Sequence, residues 1–190
     1  MEHAMGTNWR DCIVTVIDLI GIRSQAVAAR ASTQMRELHR TLLDQVQTDR
    51  YSFARTYAYN DAVLLLSYVD GKAKSVRTAM RDADTLKKEI DKIQNSYAIA
   101  VKGQAFPPVS NRIIDHRVTV IEASSWAMAN CFEIERQLGH LKQPWYVDER
   151  IASKIQTDSG SQKHEISMYP SGRLRCVHVY DGYLWRTAAD

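Results

Sequence analysis

The stretch RTYAYNDAVLLLSYVD, from Arg55 to Asp70, contains the signal that decides the fold. Its apolar run Ala62–Tyr68 is typical of a strand inside a sheet, yet the run begins with Asn60 and Asp61, two residues that prefer turns and water. The stretch therefore predicts a β-hairpin that turns at residues 59–61. Either the pair is simply a good turn sequence, or the Asp61 carboxylate has a partner elsewhere in the chain.

Hydrophobic periodicity predicts the elements on either side of this hairpin. Continuous apolar runs indicate strands, and apolar residues at steps of three and four indicate amphipathic helices. In chain order, the predicted elements are a strand Cys12–Asp18, a helix from about Ala26 to Val46, strands Ser52–Ala58 and Ala62–Val69, a helix Lys74–Ile93 and a strand Ser96–Val101. This β-α-β-β-α-β order is that of the ferredoxin-like palm, an α+β fold.

The handedness of the crossover places two carboxylates together. A right-handed crossover makes the first two strands parallel, and the hairpin inserts the third strand between them, antiparallel to both. Asp18 ends the first strand and Asp61 precedes the third, so both are expected at one edge of the sheet. Adjacent carboxylates repel unless a cation lies between them, and Mg²⁺ prefers such oxygen ligands. The structural alternatives are a helix cap at Asp18 and a turn residue at Asp61.

The rest of the chain predicts a third helix and a terminal hairpin. The helix spans about Ser124 to Leu141, a short strand is predicted at Trp145–Val147, and two strands flank the turn at residues 170–172. Thr157–His164 is the best candidate for a flexible loop. We expect one domain over residues 1–190, with a core at about 11–141 and an extension of a helix and a β-hairpin at 142–190.

Composition narrows the functional classes. The 190 residues carry a formal net charge of +3, so the chain lacks the strong positive field of a typical nucleic-acid-binding protein. The three cysteines are widely spaced, and no Cys/His pattern with zinc-finger spacing occurs. No apolar segment is long enough to cross a bilayer, and the first residues lack the pattern of a signal peptide. A cytoplasmic protein without membrane insertion is expected.

Two of the stretches above resemble the metal-binding segments of class III nucleotidyl cyclase domains. VTVIDLIGIRS, residues 14–24, is similar to their first strand, and YNDAVLLLSY, residues 59–68, is similar to their second metal-binding hairpin. The resemblance covers about residues 11–141. It implies that Asp18 and Asp61 bind Mg²⁺ or Mn²⁺ with the backbone carbonyl of Ile20, and that a nucleoside triphosphate is converted to a cyclic nucleotide and pyrophosphate.

The resemblance is divergent on the later helix, EASSWAMANCFEIER, residues 122–136. Class III cyclases carry an Asn there and, a few residues on, an Arg that stabilises charge on the phosphates. Asn130 aligns with that Arg, and the next arginine, Arg136, comes nearly two turns later. A relocated arginine would then be Arg23, Arg112 or Arg117.

Two further positions concern the binding of the nucleotide. Asn60 replaces the glycine that usually precedes the second aspartate, and Asn also adopts left-handed turn geometry. Lys102 either contacts a phosphate or is a solvated charge.

Three functional classes follow from the sequence. The first is a metal-dependent nucleotidyl cyclase, and the second is a catalytically silent dimerisation or nucleotide-sensing module with the same fold. The third is a single-stranded RNA binder, because that module shares the element order and uses strand aromatics for base stacking. The aromatics concerned are Phe53, Tyr57, Tyr59, Tyr68 and Tyr97. No RNP1-like pattern is present.

Self-association is also expected. Class III cyclase domains work as dimers with the site at the interface. The segment SSWAMANCF, residues 124–132, offers a Trp, a Met and a Phe, which one amphipathic stripe cannot bury together. A symmetric homodimer would cover the surplus.

Overall fold

The computed structural model describes residues 9–21, 29–46, 50–59, 61–105, 112–115, 118–120, 126–168 and 171–186. Its strands are β1 Arg10–Leu19, β2 Arg55–Tyr59, β3 Ala62–Tyr68, β4 Ser96–Ala105, β5 Arg112–Asp115, β6 Val118–Val120, β7 Trp145–Asp148, β8 Ser161–Met168 and β9 Arg173–Tyr180. Its helices are α1 Ala29–Val46, α2 Ala73–Asp91, α3 Trp126–Leu138 and α4 Glu149–Ala152, with a 3-10 turn at Gly139–Leu141. No helix in these described ranges is long and apolar enough to cross a membrane.

The strand arrangement confirms the predicted palm. Seven strands form one sheet in the order β2-β3-β1-β4-β7-β9-β8, and β5 and β6 form a separate pair. Strand β3 lies between β2 and β1 and is antiparallel to both. The β-branched and leucine-rich sequences of β1 and β3 fit central positions covered on both faces.

The C-terminal residues complete this same sheet. Strand β7 pairs in parallel with β4, and β9 and β8 follow it as antiparallel neighbours. The predicted loop at Thr157–His164 is partly wrong, because β8 already begins at Ser161. The alternation of β8 is weak in sequence, since its residues are mostly exposed on both faces at this edge of the sheet.

Each face of the sheet packs against helices. The α2-side core contains Ile13, Ile17 and Leu65 from the strands and residues such as Leu38 and Met80 from α1 and α2. The α3-side core contains the alternate strand residues, including Val14, Val16 and Leu66, packed against Cys131 and Ile134 of α3. Period-two alternation along the central strands therefore assigns their buried side chains to one core or the other.

A buried carboxylate joins the C-terminal segment to α2. Asp84 of α2 is 2% exposed and accepts hydrogen bonds from Trp145 Nε1 at 2.9 Å and from the backbone N–H of Leu184 at 3.1 Å. Its other oxygen lies 3.1 Å from Lys88 Nζ. These partners satisfy a charge that would otherwise be costly to bury.

Candidate functional site

The two predicted aspartates meet at the edge of the sheet where β1 ends. Asp18 is the Cα partner of Ala62, the first residue of β3. The backbone N–H of Leu19 donates to the carbonyl of Asp61 at 3.1 Å. Asp61 lies in the turn before β3, so the alternation of that strand does not fix its side-chain direction. The backbones of both aspartates thus lie side by side, as the crossover argument predicted.

The third predicted ligand, the carbonyl of Ile20, lies just beyond Asp18 and already accepts one hydrogen bond. Gln94 Nε2 donates to this carbonyl at 2.8 Å, and the Ile20 N–H donates to the backbone carbonyl of Asn95 at 2.8 Å. A second amide, Gln34 Nε2, donates to Gln94 Oε1 at 2.8 Å and fixes the orientation of that side chain. A carbonyl has two lone pairs, so one remains for a cation.

Tyr97 connects Asp18 to helix α3. It is the cross-strand partner of Asp18 on β4, and its hydroxyl lies 2.7 Å from Asp18 Oδ2 and 2.8 Å from Glu135 Oε1. Burial and these two carboxylates raise the pKa of Tyr97 well above its ordinary value of 10.0, so the hydroxyl keeps its hydrogen. One hydrogen can be donated to only one carboxylate at a time, and a cation beside the pair would relieve their repulsion.

Helix α3 therefore presents an acid, and not an arginine, towards the edge. Arg136 is the neighbour of Glu135, but its guanidinium pairs with Glu133 at 2.6 Å and is 71% exposed. Asn130, at the position aligned with the cyclase arginine, is buried, and no hydrogen-bond partner of its Oδ1 is found among the described residues. The described part of α3 thus places no positive charge on Asp18.

Lys102 does not share this edge. The sequence predicted that this strand ends at Val101, just before Lys102. Strand β4 in fact extends to Ala105, so Lys102 lies within it. It pairs with Ile13, five residues along β4 from Tyr97, which corresponds to roughly 17 Å of strand. Its ammonium lies 3.4 Å from Asp11 Oδ2.

The structure does not describe the side chains of the other candidate binding residues. Asn60, Arg23 and Arg117 lie outside the described residues. Arg112 begins β5, but its side chain is not described.

The strand aromatics do not form one stacking platform. Phe53 packs against the α2-side core, whereas Tyr57, Tyr68 and Tyr97 pack against the α3-side core. The side chain of Tyr59 lies outside the described part. Because these rings lie on both faces of a sheet flanked by helices, the arrangement favours packing over base stacking.

The metal-ligand atoms predicted at this edge are oxygen atoms. Two carboxylates and a backbone carbonyl match the preference of Mg²⁺ and Mn²⁺ for hard ligands, with remaining positions for water or phosphate oxygens. The ligand types and the adjacent backbones fit such an ion, and Asp18, Asp61 and the carbonyl of Ile20 would hold it.

Solved structures of cyclase catalytic domains share this architecture. The adenylyl cyclase CyaB from P. aeruginosa is 10% identical and aligns over 90% of this chain and 94% of that chain with a TM-score of 0.61. The chain has the fold of a nucleotidyl cyclase catalytic domain.

Two guanylyl cyclase domains have the same fold. The non-canonical dimeric domain of the RhoGC fusion protein from Blastocladiella emersonii is 11% identical, covering 92% of this chain and 96% of that chain with a TM-score of 0.56. The RhGC domain from Catenaria anguillulae, solved in complex with GTP, is 11% identical, covering 90% and 96% with a TM-score of 0.54. No protein-family model and no curated protein matches the sequence.

Sequence reasoning missed the residues that hold the edge together. Tyr97 was considered only as an aromatic for stacking, Glu135 was not considered, and neither was Gln94. The register of β1 with β4 places Tyr97 opposite Asp18, and that register could not be read from either strand alone.

Proposed function

We propose that this chain is a metal-dependent, nucleotidyl cyclase-like domain that binds a nucleoside triphosphate at the edge formed by Asp18, Asp61 and Ile20. The observation that carries the proposal is the backbone hydrogen bond from Leu19 to Asp61, which puts both aspartates at one edge of a cyclase fold. Bound Mg²⁺ or Mn²⁺ would offset negative charge on the triphosphate and lower the pKa of the 3′-hydroxyl on the ribose of the nucleotide.

The proposed reaction is an intramolecular phosphoryl transfer. The 3′-oxygen of the nucleotide forms a bond to the α-phosphorus, and the bond from that phosphorus to the bridging oxygen breaks. Pyrophosphate leaves with the bonding electrons, and the hydroxyl proton is released. Within the chain, Asp18 and Asp61 would hold the cation, and Tyr97 positions Asp18 through its hydroxyl.

A silent, nucleotide-binding module is the second candidate, and the position of Glu135 favours it. A positive charge near the transferring phosphate stabilises the transition state, and its absence costs orders of magnitude in rate. Here α3 directs Glu135 towards Asp18 through Tyr97, while Arg136 pairs with Glu133. An active enzyme would need an arginine from another segment or from a second copy of the chain.

Product analysis separates the two candidates. The purified chain is incubated with each nucleoside triphosphate and Mn²⁺ or Mg²⁺, and the products are resolved by chromatography. A cyclase yields a cyclic nucleotide and pyrophosphate in equal amounts, and Asp61→Asn abolishes both. Asp11→Asn is the matched control, because it removes a carboxylate at the other end of β1.

The remaining outcomes are equally specific. Binding of the nucleotide without any product supports the silent module. Neither binding nor product with any of the nucleotides contradicts the proposal.

A further inference from the structure

A second cluster of metal-ligating side chains lies in the C-terminal part of the sheet. Glu149 begins α4, and Cys176 and His178 lie on β9. One ligand atom of each residue lies within 4.8 Å of the others. His178 Nε2 is 2.5 Å from Glu149 Oε2.

Strand alternation explains why these residues meet. Cys176 and His178 are two apart on β9 and therefore lie on the same face. Val177 and Val179 belong to the α3-side core, so the Cys176 and His178 side chains project to the opposite face. Helix α4 packs on that face through Ile151, and its first residue is Glu149.

We propose that Glu149, Cys176 and His178 form a zinc site. Thiolate, imidazole and carboxylate are the side-chain ligands that Zn²⁺ takes in proteins, usually in tetrahedral geometry. Three protein ligands leave the fourth position to water or to an external ligand. Bonds of about 2.0–2.3 Å separate neighbouring ligand atoms by roughly 3.3–3.8 Å. On binding, the 2.5 Å contact between His178 Nε2 and Glu149 Oε2 would open to that separation, and a ligand atom of Cys176 already lies within 4.8 Å of both residues.

The histidine is already oriented for this role. Ser161 Oγ lies 2.9 Å from His178 Nδ1, which leaves Nε2 directed at Glu149. Ligating histidines generally hold their second nitrogen in this way, because the outer hydrogen bond fixes the ring and its tautomer. The His178 side chain is only 12% exposed, so the ring has little freedom to turn away.

The charges around the cluster permit a cation. The adjacent Asp148 is fully buried and pairs with the guanidinium groups of Arg150 and Arg175, each at 3.1 Å. Lys163 lies 3.7 Å from Glu149 Oε2, but its side chain is 64% exposed and can move into solvent when an ion binds. Zinc bound here would link α4 to β9 and stabilise the C-terminal strands.

Cobalt is a suitable probe, since it replaces zinc and reports its ligands in the visible spectrum. The full chain is titrated with Co²⁺, and we expect one equivalent to give intense four-coordinate absorption and a thiolate-to-metal charge-transfer band, both removed by Zn²⁺. Cys176→Ser should abolish the charge-transfer band and weaken Zn²⁺ binding at least about 100-fold, and Ser161→Ala should weaken it about 10-fold. Cys131→Ser, a buried thiol on α3, is the matched control and should keep the band.

The outcomes decide between a metal site and an ordinary ion pair. Zn²⁺ should raise the unfolding temperature of the wild type and not that of Cys176→Ser or His178→Gln; His178→Gln gives the answer if Cys176→Ser fails to fold. Asp61→Asn should bind zinc normally, because that residue belongs to the edge at the end of β1. Absence of the band, its persistence in Cys176→Ser, or equal Zn²⁺ affinity in both variants and the wild type would overturn the proposal.

Discussion

At the scale of single residues, Glu135 adds a second carboxylate to the candidate site beside Asp18. Its carboxylate shares the Tyr97 hydroxyl with Asp18, so two acidic side chains meet at this edge, next to the backbone of Asp61. Under the proposed function, this negative charge should attract a divalent cation and repel a free triphosphate. We therefore expect nucleotide to bind only with its metal ion.

Cys131 gives a prediction about pH at the residue scale. Burial raises the pKa of this thiol well above its ordinary value of 9.0. The folded state thus keeps the proton while the unfolded state loses it, so the contribution of Cys131 to stability is complete below pH 9 and is lost as the pH rises above it. The expected loss is about 1.4 kcal/mol in total between pH 8 and pH 10.

Denaturant unfolding between pH 8 and 10 checks this sign. Cys131→Ala should be less stable than the wild type at pH 8, because it leaves a cavity. Its stability should nevertheless fall less than that of the wild type as the pH rises. Parallel pH curves for the two proteins would refute the prediction.

At the scale of elements, the contact between β4 and α3 depends on a glycine. A Cβ built on Gly103 would lie 2.8 Å from the Cβ of Ala127, at the start of α3. Gly103→Ala should therefore separate the helix from the sheet and cost about 1–3 kcal/mol. Gly160→Ala, where a Cβ meets nothing within 4 Å, should change the free energy of unfolding by less than about 0.5 kcal/mol. Equal effects of the two substitutions would argue against this packing.

The contact between α2 and the C-terminal segment depends on Asp84. Asp84→Ala leaves the Trp145 indole and the backbone N–H of Leu184 without their acceptor and removes the carboxylate paired with Lys88. We expect a loss of about 3 kcal/mol in the free energy of unfolding. Asp44→Ala removes a surface carboxylate that is 69% exposed, and it should cost less than about 0.5 kcal/mol. A small effect at Asp84 would mean that the segment is held by other contacts.

How far the sequence predicts the fold differs among the elements. Strand β1 and the β2-β3 hairpin were predictable because their apolar runs are dense and their order allows one handedness. The start of β8 was not, because an edge strand with few buried residues shows little alternation. The site follows the same rule: Asp18 and Asp61 follow from topology, whereas Tyr97 and Glu135 depend on register and helix rotation.

For the whole molecule, the exposed aromatics of α3 predict self-association. Trp126 is 58% exposed and Phe132 is 52% exposed, as the surplus in this segment suggested, whereas Met128 packs against the α3-side core. Light scattering at tens of micromolar should give twice the chain mass of 21.7 kDa. Replacing Trp126 and Phe132 by Ser should yield the monomer.

A matched control separates this interface from general surface apolarity. Leu43→Ser removes an apolar side chain that is 60% exposed on α1, and it should leave the dimer intact. A wild-type monomer at this concentration would contradict the dimer prediction.

The most direct test of the proposed function is calorimetric titration of Mn²⁺ and nucleoside triphosphate into wild type, Asp61→Asn and Asp11→Asn. Asn keeps the size and turn preference of Asp61 but removes its charge, so binding should fall at least about 100-fold with little loss of stability. The double variant with Asp18→Asn should add little, because ligands of one site act as a unit. Asp11→Asn should bind Mn²⁺ and nucleoside triphosphate with the affinity of the wild type. Equal binding by wild type and Asp61→Asn would contradict a metal site at this edge.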